Sequence, residues 1–154
     1  MKIYVASSWR NEEQPDIVAE LRGAGHQVYD FRHPEMGDDG FHWSQIDPAW
    51  KEWSPGVYRK CLDHPIAVRG FENDRGAMEW ADVLVGVMPF GRSASFEMGW
   101  AAGYGKRTIL LLATGEPELM VKMFDRLCLD MAEVLQTLDQ WQRSRVPMEK
   151  GTER

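Results

Sequence analysis

At 154 residues, 44% hydrophobic and 27% charged, the chain has the size and composition of one soluble globular domain with a real core. A net charge of −6 argues against a nucleic-acid groove, which needs a concentrated basic face, while leaving room for a small phosphorylated ligand held by one or two arginines. Cys61 and Cys128 lack metal-ligand spacing and do not make a disulfide framework, so they read as packing residues in a reducing compartment.

In chain order, Lys2–Ala6 reads as a strand followed by the loop Ser7-Ser8-Trp9-Arg10-Asn11. Asn11 or Ser8 is positioned to cap a helix through Leu21 whose apolar stripe is Ile17, Val18 and Leu21, with Gly23 and Gly25 ending it. His26–Phe31 reads as a second strand, giving β-α-β at the start. From Arg32 to about Val68 no period is sustained, and four prolines and three glycines interrupt the pattern. The aromatics Phe41, Trp43, Trp50, Trp53 and Tyr58 argue against disorder, so this stretch is expected to be an ordered lid with short helices near Pro48–Trp53 and Pro55–Asp63. A helix over about Asp74–Ala81 precedes an apolar strand, Val83–Val87. Next come a turn rich in Pro, Gly and Ser, a helix with Glu97 in its first turn, and the strand Thr108–Leu112. Glu116-Pro117-Glu118 begins a short helix, Leu127–Leu129 is the remaining strand, and Asp130 caps a final amphipathic helix to about Trp141. One domain is expected over residues 1–142, with a polar tail over 143–154.

Parallel strands would bring three loops to one sheet edge, where open α/β sheets bind ligands. Ser7, Ser8, Arg10, Arg92, Ser93, Ser95 and Glu97 would converge there. Serine hydroxyls, helix-start amides and arginines suit an anion such as a phosphate. A carboxylate among them needs another role, nucleophile or general base, and Asp74 is the best second carboxylate for acid–base work. Tyr4, in the first strand, could reach a neighbouring carboxylate. Each residue also has a plainer reading: Glu97 as a capping-box or dipole residue, Asp74 as a helix cap, Tyr4 as a strand aromatic, Arg10 and Arg92 as solvated charges. The four histidines show no metal spacing, and there is no Walker sequence or GxGxxG, so neither a metal nor a cofactor is expected. Met1-Lys2 leads directly into an apolar strand and no run approaches a membrane span, so no membrane partner is expected and the cytoplasm is the expected location.

The segments KIYVASSWR and NDRGAMEWADVLVGV…GRSASFEMGWAAGYGKRTILLL resemble the nucleoside 2-deoxyribosyltransferase superfamily, which also contains the 2′-deoxynucleoside 5′-phosphate N-hydrolases. The resemblance covers the first strand and loop and Asn73–Leu112, and fits in outline to the C-terminus. It implies a flavodoxin-like, doubly wound, five-stranded parallel sheet of order 2-1-3-4-5, with the aromatic lid inserted after strand 2. In SASFEMGWA, Glu97 falls on the nucleophile that attacks C1′ of the sugar. Asn73-Asp74 falls on the pair that contacts the sugar or assists the leaving base, Tyr4 on a tyrosine bonded to the nucleophile, and Trp9 on an aromatic bordering the base. The chain departs from the transferases at Gly91-Arg92-Ser93, where they carry a further aspartate, and the Ser and Arg of this loop point to phosphate recognition instead. The resemblance thus implies cleavage of a nucleoside or nucleotide N-glycosidic bond through a glycosyl-enzyme on Glu97, by hydrolysis rather than transfer. It also implies a homo-oligomer, dimer or higher, because the family commonly completes its pocket with a neighbouring chain. Two other readings stand beside it: a non-catalytic nucleotide-sensing module and a glycohydrolase of a nicotinamide dinucleotide.

Overall fold

The computed structural model describes residues 1–34 and 37–144. The strands are β1 (Lys2–Ala6), β2 (Gln27–Tyr29), β3 (Val83–Val87), β4 (Arg107–Leu111) and β5 (Arg126–Cys128). They form one parallel sheet of order β2-β1-β3-β4-β5, the order and fold class expected from the sequence. The helices are α1 (Gln14–Gly23), α2 (Pro55–Cys61), α3 (Pro65–Trp80), α4 (Arg92–Gly103) and α5 (Met131–Arg143). Of the tail expected over 143–154, residues 145–154 lie outside the described residues. No helix among the described residues is long and apolar enough to cross a membrane.

The central strands are buried on both faces, which is why Val83–Val87 reads as an unbroken apolar run. Side-chain alternation then sends two different sets of residues to the two faces. Ile3, Val5, Val83, Val85, Val87, Ile109 and Leu111 pack with Ile17, Val18 and Leu21 of α1 and with Val134 and Leu138 of α5. Tyr4, Ala6 and Leu84 face the other way, against α3 and α4, where the helices contribute Ala77, Met78, Ala94, Met98 and Ala101. Small side chains let these helices sit close to the strands. The second layer is therefore thin, and the polar residues of the candidate site lie in it.

Several boundaries differ from the expectation for physical reasons. Neither Asn11 nor Ser8 caps α1, whose N-cap is Glu13. Asn11 instead is buried, its Nδ2 donating to Ser7 Oγ (3.0 Å) and to the carbonyls of Val87 (3.4 Å) and Met88 (3.2 Å). The lid contains single helical turns at Trp43–Gln45 and Trp50–Glu52 and then α2, capped by Ser54 with Pro55 at its start. α3 begins at Pro65, nine residues before the expected start at Asp74, with His64 Nδ1 accepting from the Ile66 amide at 3.2 Å. Gly70 and Gly76 make this stretch look broken, yet Gly70 lies inside the helix because Phe41 of the lid sits against it. A Cβ there would lie 2.9 Å from the Phe41 Cβ. The short helix expected after Glu116 is a 3₁₀ segment, Leu119–Met123. Asp130 does cap α5, accepting from the Glu133 amide at 2.9 Å.

Candidate active site

The first shift from expectation concerns where the carboxylates sit on their helices. α4 starts at Arg92 after the N-cap Gly91, so Glu97 lies in its second turn, too far along to cap the helix. Asp74 lies in the third turn of α3 and cannot be a cap either. Both side chains are partly buried on the face of the sheet that carries Tyr4. The plainer accounts of these two residues therefore do not apply.

Tyr4 is fully buried on β1 and pairs in register with Tyr29 on β2. Registered neighbours on one face approach closely, and the two rings stack at 5.4 Å between centroids and 14° between planes. Tyr29 Oη donates to Asp74 Oδ1 at 2.9 Å. The Tyr4 hydroxyl is buried without a hydrogen-bond partner among the described residues, although it and Glu97 perturb each other's ionisation. The two groups thus interact without closing a bond of standard length.

Burial sets the electrostatics of this cluster. It raises the Asp74 carboxyl to about 6, against the lowering effect of the Tyr29 hydrogen bond. Burial and then the neighbouring Asp74 charge raise Glu97 to about 7, while the Tyr4 hydroxyl works in the opposite direction. Both tyrosine hydroxyls are pushed up, first by burial and then by the carboxylates, so each remains a proton donor near neutrality. A pair of carboxyls with values displaced toward neutrality, backed by two phenols, can supply a nucleophile and an acid in one place.

The loop residues divide. Ser7 is buried and committed, its hydroxyl donating to the Val87 carbonyl at 2.9 Å and accepting from Asn11. Ser8 lies against the α4 start: a Cβ on Gly91 would be 3.4 Å from the Ser8 Cβ. Ser8 Oγ accepts from the Arg10 amide at 3.1 Å. Arg10, Arg92, Ser93 and Ser95 are all exposed, and Ser95 Oγ donates back to the Gly91 carbonyl at 3.3 Å. No side chain caps α4, which leaves its first amides beside this group of hydroxyls and arginines. Trp9 is 42% exposed, with the Phe31 ring edge-on at 5.2 Å and the His42 ring at 4.2 Å.

Between the lid and α3 lies a small recess of about 40 Å³ lined by Tyr29, Asp38, Phe41, Gln45, Asn73 and Asp74, among others. That is room for a water or two, well below the ~300–1,000 Å³ of small-molecule sites. It meets the carboxyl cluster at Tyr29 and Asp74, whereas Glu97 is not part of its lining. Tyr29 lies in this cluster, and the sequence reading gave it no role. The register of β1 against β2 puts Tyr29 beside Tyr4 on one face, a pairing that the residue pattern alone does not reveal. Among the described residues no group of three or more His, Cys, Asp or Glu side chains is arranged to hold a metal ion.

No protein-family model matches the chain, and no curated protein matches it. Solved structures do. The 2-deoxyribosyltransferase of the psychrotolerant bacterium Bacillus psychrosaccharolyticus superposes with a TM-score of 0.60 at 25% identity, covering 88% of this chain and 90% of that one. A CMP N-glycosidase of Clostridium botulinum gives a TM-score of 0.49 at 21% identity, over 92% of this chain and 99% of that one. Over nearly its whole length the chain is therefore similar in fold to a 2-deoxyribosyltransferase, and so to the superfamily that its motifs resemble.

Proposed function

We propose that this protein is an enzyme that cleaves the N-glycosidic bond of a nucleoside or nucleotide, with Glu97 as the nucleophile and Asp74 as the acid. The observation that carries the reading is the carboxyl pair itself, partly buried, with values near 6 and 7 and a phenol beside each member. The likeness in fold to a 2-deoxyribosyltransferase supports the same bond as the target.

In the first step the ionised Glu97 attacks C1′. The new C1′–O bond forms as the C1′–N bond breaks, its electron pair passes to the base, and a protonated Asp74 delivers the proton. In the second step water attacks C1′, Glu97 leaves as carboxylate, and Asp74 takes the proton from that water. Tyr4 and Tyr29 hold the two carboxyls and their proton distribution. Hydrolysis rather than transfer is favoured by the start of α4, whose amides no side chain caps, and by the exposed Arg92 there and Arg10 of the loop after β1, which together suit a monophosphate on the substrate. Phe71 and Phe96, 66% and 79% exposed on the helices that carry Asp74 and Glu97, support a homo-oligomer with its contact beside the site.

The test is a panel of deoxynucleosides, their 5′-monophosphates and a nicotinamide dinucleotide, incubated with the protein and scored for free base by chromatography. Base released from a deoxynucleotide by the wild type, and not by Glu97→Ala, is the expected result. Binding of a panel member without any base release would replace this reading with a sensing module. Release of nicotinamide alone would redirect it to dinucleotide hydrolysis.

A further inference from the structure

The first residue of the lid carries a feature that the catalytic reading does not use. Arg32 Nη2 donates to three backbone carbonyls of the preceding loop: Ser8 at 3.2 Å, Trp9 at 3.1 Å and Asn11 at 2.7 Å. A guanidinium nitrogen has two hydrogens, so at least one is shared between acceptors. The three oxygens converge because Ser8–Asn11 is a tight turn, closed by the Asn11 amide on the Ser8 carbonyl at 3.0 Å. Converging carbonyl dipoles repel one another, and a planar cation at their focus removes that repulsion. The same guanidinium lies over the Trp9 ring at 5.6 Å and the Phe31 ring at 6.0 Å.

Arg32 is itself held in place. Its amide donates to Asp30 Oδ1 at 3.0 Å, and Asp30 is buried and fixed to α1 by Gln14 Nε2 at 2.9 Å. The lid then turns back on the same tryptophan. Gly40, at φ +75°, lies so close that a Cβ would be 2.4 Å from the Phe31 carbonyl oxygen and 3.0 Å from the Trp9 ring. Asn11 grips the loop from the sheet side through Val87 and Met88. Arg32 grips it from the lid side.

We propose that Arg32 is a positioning residue that locks the Ser8–Asn11 loop, and with it Trp9, into the wall of the substrate site. The lid and the loop then form one wall, and the lid sets where Trp9 stands without itself touching the reacting atoms. The proposal deepens the N-glycosidase reading and relies on it only for the choice of substrate.

Two measurements test it, the first needing no substrate. In the free protein, amide hydrogen exchange over residues 8–12 is expected to quicken by about tenfold or more in Arg32→Gln, with Arg32→Lys between it and wild type, while the β3 amides stay unchanged. In the base-release assay, Arg32→Gln is expected to raise KM about tenfold with kcat within about threefold, and to add little on top of Trp9→Leu, since both act through one element. Unchanged exchange over 8–12, or equal quickening in β3, overturns the lock. So does a fall in kcat with KM unmoved, or full additivity with Trp9→Leu. If the wild type turns over no member of the panel, the catalytic reading fails, and the exchange measurement still decides the lock by the same outcomes.

Discussion

Burial desolvates both Glu97 and Asp74, and the Asp74 charge acts on Glu97, which makes their protonation interdependent. The pair gives up protons in two steps, near 6 and near 7. Chemistry that needs one carboxylate and one acid runs only between those steps. Base release is therefore expected to follow a bell with limbs near pH 6 and 7. In the singly protonated pair the proton favours Glu97, so the reactive arrangement, Glu97 ionised and Asp74 protonated, is the minor one. It is lost on the acid side by full protonation and on the alkaline side by full ionisation. A plain sigmoid in the wild type would show that only one carboxyl matters. Asp74→Asn removes the charge that helps raise Glu97, so Glu97 should ionise at lower pH, the alkaline limb should vanish and kcat should drop by about 10²-fold or more. Tyr29→Phe removes the bond that holds Asp74 down, so the Asp74 carboxyl should titrate above its present value of about 6 when followed by carbon-13 NMR. Glu97→Ala should lower base release by at least about 10³-fold while leaving the circular dichroism spectrum intact.

The elements explain why some of this was legible from the sequence and some was not. β1 and β3 are buried on both faces, so their apolar runs mark them directly, and sheet order followed from them. The loops that converge at the sheet edge followed in turn. α3 was mostly hidden because glycine normally weakens a helix, and only the tertiary contact with Phe41 explains Gly70. That one misreading moved Asp74 from the third turn of a long helix to the cap of a short one. Glu97 was displaced similarly, because the Pro-Gly-Ser turn reads as longer than it is, whereas α4 already begins at Arg92. Tyr29 and Arg32 were passed over because their roles depend on cross-strand register and on loop carbonyls, neither of which leaves a residue pattern. The Gly70 contact gives a test at this scale. Gly70→Ala forces Phe41 off α3 and should destabilise the protein by about 1–3 kcal/mol in urea unfolding, with KM raised because the lid recess is built on that contact. No change in either quantity would show that the lid accommodates the methyl group freely.

For the molecule as a whole, the site is a stability cost that depends on pH. Carboxyls raised from 3.8 and 4.5 to about 6 and 7 in the folded state bind more protons than the unfolded chain between those values. Their contribution is fully present below the unfolded values and is lost as pH rises through the folded ones. Unfolding free energy should therefore fall between about pH 4 and pH 7 and level off above it, to the extent that these two groups dominate. The double variant Asp74→Asn, Glu97→Gln should be flat over this window and more stable than wild type at pH 8, by on the order of a few kcal/mol. A wild-type curve without that decline would mean that the carboxyls relax into water more readily than their burial suggests.

The alanine-rich helix layer has a wider consequence. Branched aliphatic residues crowd one side of the strands with α1 and α5, while Ala77, Ala94 and Ala101 with two methionines line the other. The larger and more branched of the two apolar clusters thus lies on the side away from the carboxyls. Substitutions among the small residues around Asp74 and Glu97 are therefore expected to cost less stability than truncations among the branched aliphatics of the opposite side.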